Sequence, residues 1–198
     1  IADGAKMVVV ACNTATAAAI DFLREKYANI PIVGMEPAVK PAAMATRTGV
    51  VGVLATAGSL GGDLFLRTSA RYADRARFIA AVGEGFVEIV EQSREATPEA
   101  EEAVRRVVEP LLTEGADQIV LGCTHYPFLR EVIERVIGER EVAVIDPAPA
   151  VARRVEQLLD QFNLRADEGN EAQYRFKTFA SDDYLNRLTH KASEIISR

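Results

Sequence analysis

The chain has 198 residues, of which 48% are hydrophobic and 26% are charged, a balance that excludes a disordered chain and allows a packed core. The formal net charge is −6 and basic residues form no long run, which excludes a basic nucleic-acid footprint. No apolar stretch approaches the about 20 residues that span a membrane. The two cysteines do not make a disulfide scaffold, and we expect a reducing compartment, the cytoplasm.

Short apolar runs of strand length alternate with longer segments in which apolar residues recur at helical spacing. This pattern predicts an α/β fold in which parallel sheets are flanked by helices. The predicted strands are 7–11, 31–35, 50–54, 78–82, 119–122, 142–145 and 174–179. The predicted helices are 15–27, 37–44, 59–72, 86–95, 98–114, 127–137, 148–162 and 182–196, with a loop at 169–173.

Two segments share one plan: an apolar strand, a small residue, a cysteine and two polar residues before a helix. They are Val8–Thr14 and Ile119–His125. Ligands of parallel sheets bind beyond the carboxyl ends of strands, so we expect each cysteine at the mouth of a crevice. The N–H groups and dipole of a following helix should lower a thiol pKa from about 8.5 toward neutrality and would bind a substrate carboxylate.

Other interpretations of the cysteines are weaker. A cysteine after a strand is often a small buried hydrophobe, but two in matching positions point to a shared role. A redox dithiol lacks a Cys-x-x-Cys motif. A zinc site would need more ligands than Cys12, Cys123 and His125 provide, and the polar neighbours of His190 predict a solvated helix face.

Two thiols on opposite sides of a small substrate are suited to racemisation or epimerisation, in which the configuration of a carbon atom is inverted. One thiolate would remove a proton from one face while the other thiol returns a proton to the opposite face, which is general acid–base catalysis. His125 is placed to assist the Cys123 thiol. Compact polar side chains at the strand ends are suited to bind the substrate's charged groups; they are Asn13, Thr14, Thr56, Ser59 and Thr124. For Thr56 and Ser59, helix capping is an equally good explanation.

The segments Ala11–Ala15 and Leu121–Pro127 resemble the two cysteine signatures of the glutamate racemase family, within the cofactor-independent aspartate/glutamate racemase superfamily. The order of the motifs and the intervening segment Pro31–Pro37 agree with that family. The resemblance implies conversion of L-glutamate to D-glutamate, a building block of bacterial peptidoglycan, without pyridoxal phosphate or a metal. It also implies homodimers of varied arrangement.

The resemblance assigns roles to individual residues. It makes Cys12 and Cys123 the paired acid and base, with His125 assisting Cys123. Glu91 resembles a family glutamate that supports the second cysteine. The positions that match substrate-binding residues are Asn13, Thr14, Thr56, Ser59 and Thr124, with Ser59 standing where the family usually has threonine.

The family fold implies two α/β lobes with the active site in the cleft between them. On this chain the first lobe would comprise residues 1–36 and 147–198 and the second 37–146, which separates Cys12 from Cys123. The family opens with Asp-Ser-Gly-x-Gly-Gly and Pro-Tyr-Gly segments before its first cysteine, and the sequence contains neither. We therefore expect a first lobe without its N-terminal strands, and weak or no racemisation from these 198 residues.

Two other functions stay open at this point. A racemase or decarboxylase of the same superfamily could act on aspartate, hydantoin or malonate substrates, because the motifs do not identify the residues that set side-chain length. The chain could instead be a non-catalytic amino-acid-binding module. Its thiols would then react near the pKa of a free cysteine, whereas a catalytic pair would react at lower pH and be protected by glutamate.

Overall fold

Strands and helices alternate in the computed structural model, which describes residues 4–60 and 63–196. The strands are β1 (Val8–Val10), β2 (Ile32–Gly34), β3 (Val50–Ala55), β4 (Arg77–Val82), β5 (Gln118–Gly122) and β6 (Ala143–Ile145). The helices are α1 (Asn13–Lys26), α2 (Val39–Ala45), α3 (Ala57–Leu60), α4 (Asp63–Ala70), α5 (Phe86–Glu91), α6 (Pro98–Thr113), α7 (Arg130–Ile137), α8 (Ala148–Gln161) and α9 (Asp182–Ile196), and a 3₁₀ helix covers Tyr126–Leu129.

The strands pair in parallel in two sheets. β1 pairs with β2, and the larger sheet has the order β4-β3-β5-β6. All of β5 and nearly all of β3 are buried, because helices cover both faces of these central strands. The predicted α/β class, with parallel sheets flanked by helices, is confirmed.

The two faces of the larger sheet bury separate hydrophobic clusters. One cluster includes residues of α5, α6 and α7 and the β5 side chains Ile119 and Leu121. The other includes residues of α2 and α4, together with Val51, Val53 and Val120. Successive β5 residues therefore point to opposite clusters, as the two-residue period of a strand requires.

Thr16 fixes the first turn of α1 against the small sheet. Its buried hydroxyl donates to the Val10 carbonyl at 3.1 Å and accepts from the Met35 N–H at 3.0 Å. A Cβ atom at Gly34 would lie only 2.6 Å from Thr16 Cγ2, so the absence of a side chain there lets α1 approach β2. This packing sets the position of Cys12, which stands between β1 and α1.

Asp117 stands just before β5, at the amino end of this central strand of the larger sheet. Its carboxylate accepts from the Thr46 hydroxyl at 2.5 Å and from the N–H groups of Arg47 and Thr48 at 2.6 and 3.1 Å. Burial by itself raises the pKa of Asp117, but these hydrogen bonds together outweigh it and hold the pKa below its ordinary value. The carboxylate ties the loop between α2 and β3 to the central strand.

The predicted strand 174–179 is wrong, because these residues form irregular structure. The chain divides into two compact units, Ile1–Leu164 and Arg165–Arg198, and this segment lies in the second, where Tyr174 and Phe179 are exposed. Aromatic and basic residues alternate from Tyr174 to Lys177, a pattern that is typical of a strand. A strand also needs a partner edge for its hydrogen bonds, and a periodic pattern does not specify one.

Several predicted helices end or divide at other places. The predicted helix 59–72 corresponds to α3 and α4, with residues 61–62 outside the described part of the chain. The predicted helix 86–95 ends at Glu91, and 127–137 becomes a 3₁₀ helix followed by α7. In the described ranges, no helix is both long and apolar enough to cross a membrane. The division into lobes at 36 and 147 stays a prediction.

Asp117→Asn is expected to lower the free energy of unfolding at pH 7 by about 1–3 kcal/mol, because an amide cannot accept all the hydrogen bonds that reach the carboxylate. Folding lowers the pKa of Asp117, so the ionised form stabilises the fold above the unfolded value of about 4. That contribution is lost as the pH falls through the lower folded value.

Urea unfolding at pH 7 and at pH 3 tests this assignment. Wild type and Asp117→Asn should differ clearly at pH 7, and the difference should be smaller at pH 3, below the unfolded pKa. Glu141→Gln is the matched control, because it removes an exposed carboxylate that pairs with Arg47 at 3.0 Å, and exposed pairs contribute little. An equal loss at both pH values in Asp117→Asn would show that the carboxylate charge is not the cause.

Candidate active site

Cys12 stands at the junction of β1 and α1, where the repeated motif predicts it. It is the N-cap residue of α1, with an extended backbone and a half-buried thiol. Its Sγ atom accepts from the Ala15 N–H at 3.5 Å, which occupies one of the N–H groups left free in the first helical turn. The thiol therefore faces the amino end of α1.

Asn13 follows Cys12 and is buried, with 3% of its surface exposed. Neither the oxygen nor the nitrogen of its side-chain amide has a hydrogen-bond partner among the described residues. A buried amide without partners is costly, so this group is available to a bound polar molecule. Its burial beside the thiol agrees with a binding role rather than a surface role.

Three hydroxyl groups from two parts of the chain meet at the start of α1. Thr14 Oγ1 lies 3.1 Å from Thr56 Oγ1 and 2.8 Å from Ser59 Oγ, and the latter two are 3.0 Å apart. Thr56 follows β3, and its hydroxyl also accepts from the Ser59 N–H at 3.3 Å. Thr56 therefore also makes the hydrogen bond expected of a residue that caps α3. This hydroxyl triangle, Thr14, Thr56 and Ser59, offers donors to a carboxylate.

Cys123 follows β5 and begins a line of three interacting side chains. Its Sγ atom lies 3.8 Å from His125 Nδ1, and His125 Nε2 lies 3.3 Å from Glu91 Oε1. Glu91 is the last residue of α5, so the carboxylate comes from a helix distant in sequence. If the carboxylate accepts from Nε2–H, the lone pair of Nδ1 faces the thiol.

The pKa of the Cys123 thiol is raised, which corrects the expectation of a lowered pKa at this position. Burial is the main cause, and the negative charge of a Cys12 thiolate raises the pKa further. Hydrogen bonds from the His125 and Tyr126 N–H groups and the Thr124 hydroxyl lower the pKa, but burial outweighs them. Because Cys123 is followed by a turn and a 3₁₀ helix rather than an α-helix, no long helix dipole opposes this desolvation.

The effect of Cys12 on Cys123 has a consequence for the pair. A negative charge on Cys12 raises the pKa of Cys123 further, so a thiolate at Cys12 favours the neutral thiol at Cys123. A site with one thiolate and one thiol can remove a proton and supply another. This is the protonation state that inversion at carbon requires.

The remaining predicted positions are also placed by the structure. Thr124 is half-buried beside Cys123. His190 lies on α9 in the second unit, and its side chain is exposed and paired with Glu194 at 3.4 Å, as its polar surroundings predict. Within the described residues, no three His, Cys, Asp or Glu side chains are grouped as a metal site. Sequence reasoning missed Tyr126, whose buried hydroxyl reaches two strand ends.

Comparisons with known proteins agree on one family. The sequence model of the Asp/Glu/Hydantoin racemase family matches residues 1–155. A glutamate racemase of Ectopseudomonas mendocina is 49% identical over 172 residues, which cover 87% of this chain and 65% of that protein. A glutamate racemase of Pseudomonas putida is 45% identical over 198 residues, or 98% of this chain and 74% of that protein. The chain thus spans about two thirds to three quarters of these relatives.

Solved structures show the same similarity. A glutamate racemase isoform from Bacillus anthracis matches with a TM-score of 0.82 and 29% identity, covering 96% of this chain and 70% of that one. The Escherichia coli glutamate racemase, in complex with L-glutamate and the activator UDP-MurNAc-ala, matches with a TM-score of 0.81 and 31% identity. That match covers 96% of this chain and 71% of the Escherichia coli chain.

Alkylation of Cys123 by iodoacetamide should be slow at pH 7–8 and should rise only at higher pH than for a free cysteine, because burial raises its pKa. Cys12→Ser removes the neighbouring ionisable group, so the Cys123 profile should move to lower pH. Peptide mass spectrometry across a pH series measures each cysteine separately. An unchanged Cys123 profile in Cys12→Ser would show that the thiols are not coupled.

Proposed function

The chain belongs to the Asp/Glu/Hydantoin racemase family, and on that premise we propose that it interconverts L-glutamate and D-glutamate through two thiols. One observation carries the proposal. Cys12 and Cys123 stand at the ends of strands in separate sheets, and Thr14, two residues after Cys12, hydrogen-bonds to Thr56 at 3.1 Å. Thr56 follows Ala55, which is paired with Gly122, the residue before Cys123. Two thiols that separate elements bring to one sheet edge can supply an acid and a base without a cofactor.

The reaction transfers one proton in and one proton out. A thiolate removes the α-proton of glutamate, which leaves the bonding electron pair on carbon, and the opposite thiol then gives its proton to the other face. The first cysteine ends the turnover as a thiol and the second as a thiolate. Turnover in the reverse direction restores the starting states, so each enantiomer uses the pair in opposite order.

His125 and Glu91 are proposed to prepare Cys123. With Nε2–H donated to the Glu91 carboxylate, Nδ1 can accept the thiol proton across the 3.8 Å that separates it from Sγ. Since burial raises the pKa of Cys123, this base offsets the desolvation that disfavours a thiolate. Glu91 stabilises the imidazolium that results.

Substrate binding is proposed for the hydroxyl triangle, the Asn13 amide and Thr124. Three hydroxyls within 3.1 Å of each other can turn their protons toward one carboxylate. The buried Asn13 amide gains the partners that the described residues do not provide. Because these hydroxyls and the amide are uncharged, they would hold the substrate by several directed hydrogen bonds rather than by one ion pair.

Glutamate is preferred over the other substrates of the superfamily because the relatives that align over most of the chain, at 45–49% identity, are glutamate racemases. The Escherichia coli relative was solved with L-glutamate bound. The product D-glutamate would serve peptidoglycan synthesis. A homodimer is part of the same proposal, and light scattering of the purified chain checks it.

Loss of the α-proton signal of glutamate in D₂O, followed by NMR, tests the reaction. Long incubations at high protein concentration make slow turnover visible, and chiral chromatography identifies the second enantiomer. Cys12→Ser and Cys123→Ser should each reduce racemisation by about 10²–10⁴-fold, the usual contribution of a positioned acid or base. L-aspartate serves as the competing substrate.

Three outcomes would contradict this proposal. Exchange with aspartate but not glutamate would assign another substrate. Unchanged racemisation in both serine variants would remove the thiols from the reaction. Absence of exchange together with no protection of either thiol by glutamate would favour an unrelated binding function.

Glu91→Gln is expected to reduce turnover by about 10-fold or more while changing KM little, because it weakens support for the imidazolium without touching the hydroxyl triangle. Glu88→Gln is the control, since it removes an exposed carboxylate from the same helix. Equal activity of Glu91→Gln and Glu88→Gln would exclude the proposed support.

A further inference from the structure

We propose that Tyr126 is a positioning residue, which holds the turn containing Cys123 and His125 in place against the elements that carry Thr56 and Glu91. This inference rests on the proposed function, because it assigns Tyr126 to the geometry of that site. Tyr126 does not act on the substrate itself. It acts through three backbone segments that its side chain joins.

The first contact is with the turn that Tyr126 ends. Its N–H donates to the Cys123 carbonyl at 3.1 Å, which closes the turn around Thr124 and His125. The 3₁₀ helix that starts at Tyr126 has no side-chain hydrogen bond at its N-cap, His125, so no capping side chain holds the start of this helix. The turn instead depends on the side chain of Tyr126, which is fully buried.

The Tyr126 hydroxyl joins this turn to two neighbouring strands. It donates to the Ala55 carbonyl at 3.2 Å and to the Gly83 carbonyl at 3.4 Å, so one proton is shared between the ends of β3 and β4. Ala55 is the residue before Thr56. The same hydroxyl therefore ties the turn that contains Cys123 and His125 to the ends of both strands.

The Tyr126 ring makes the third connection. It packs edge-on against Phe86, with ring centroids 5.2 Å apart and planes at 72°, an arrangement that aromatic pairs favour. Phe86 begins α5, which has only six residues and no side-chain cap, and Glu91 ends it. A helix this short is placed by its packing, so the ring contact determines where Glu91 meets His125.

Gly83 leaves room for the Tyr126 ring because it has no side chain. A Cβ atom at Gly83 would lie 2.6 Å from both the Tyr126 hydroxyl and the Phe86 ring, so a side chain there would push both rings aside. The buried hydroxyl also stays protonated. Burial raises the pKa of Tyr126 and the Cys123 charge raises it further, which keeps the phenol a donor when the thiol ionises.

Small displacements of the turn would break the contacts of His125 with Cys123 and Glu91, because both contacts are long. The distances from Cys123 Sγ to His125 Nδ1 and from His125 Nε2 to Glu91 Oε1 are 3.8 and 3.3 Å, close to the limits of hydrogen bonding. A shift of a few tenths of an ångström separates either pair. Loss of the hydroxyl should therefore affect Cys123 while leaving Cys12, on a different sheet, unaffected.

Tyr126→Phe tests this inference, with Tyr72→Phe as the matched control. Tyr72 is half-buried in the cluster on the opposite face of the sheet. We expect Tyr126→Phe to change the Cys123 alkylation rate at fixed pH by about 3–10-fold, with Cys12 changed less than about twofold. In glutamate exchange, kcat should fall about tenfold with KM nearly constant, because misplacement of catalytic groups slows the chemical step. Tyr72→Phe should match wild type in both measurements.

Phe86→Leu supplies a second variant, because it keeps the fully buried site apolar and removes the ring contact. It should also change Cys123 alkylation selectively. Unchanged Cys123 alkylation in either folded variant, or equal changes at both cysteines, would overturn the positioning role. If wild type exchanges no glutamate proton and glutamate protects neither thiol, the proposed function fails, and the alkylation rates still decide the role of Tyr126.

Discussion

The register between β3 and β5 governs the rest of the site. Ala55 stands opposite Gly122, so the residues that follow, Thr56 and Cys123, leave neighbouring strands at the same edge of the sheet. A Cβ atom at Gly122 would lie 2.8 Å from the Leu54 carbonyl, so only glycine allows this close pairing at the strand end. Parallel strands always bring their carboxyl ends together, and the register decides which side chains meet there.

A second constraint joins the small sheet to this edge. Thr14, at the start of α1, contacts Thr56 and Ser59 through hydroxyl groups. Thr16, two residues further along, anchors the same helix to β1 and to the segment after β2. Cys12 is thereby held by backbone and hydroxyl contacts that come from both sheets. Its proposed pairing with Cys123 depends on these short polar contacts.

The two ends of β5 have different physical roles. At its amino end, Asp117 accepts several hydrogen bonds and its lowered pKa stabilises the fold near neutral pH. At its carboxyl end, burial raises the pKa of Cys123, and the hydrogen bonds to the thiol do not outweigh this effect. Burial raises the pKa of both groups, and the sign of the net shift depends on whether the hydrogen bonds around each group outweigh that effect. The proposed chemistry lies at the end where compensation is incomplete.

The sequence by itself determined the α/β class, the order of β1 to β6 and the position of each cysteine after a strand, because hydrophobic periodicity and strand-end motifs are local properties. The family resemblance already assigned Glu91 to the support of Cys123. Only the tertiary structure decided that this support runs through His125, that Tyr126 lies beneath two strand ends, and that the pKa of Cys123 is raised. The strand expected at 174–179 failed for the same reason. Pairing, burial and desolvation depend on which distant segments come together, and periodicity along one segment does not encode them.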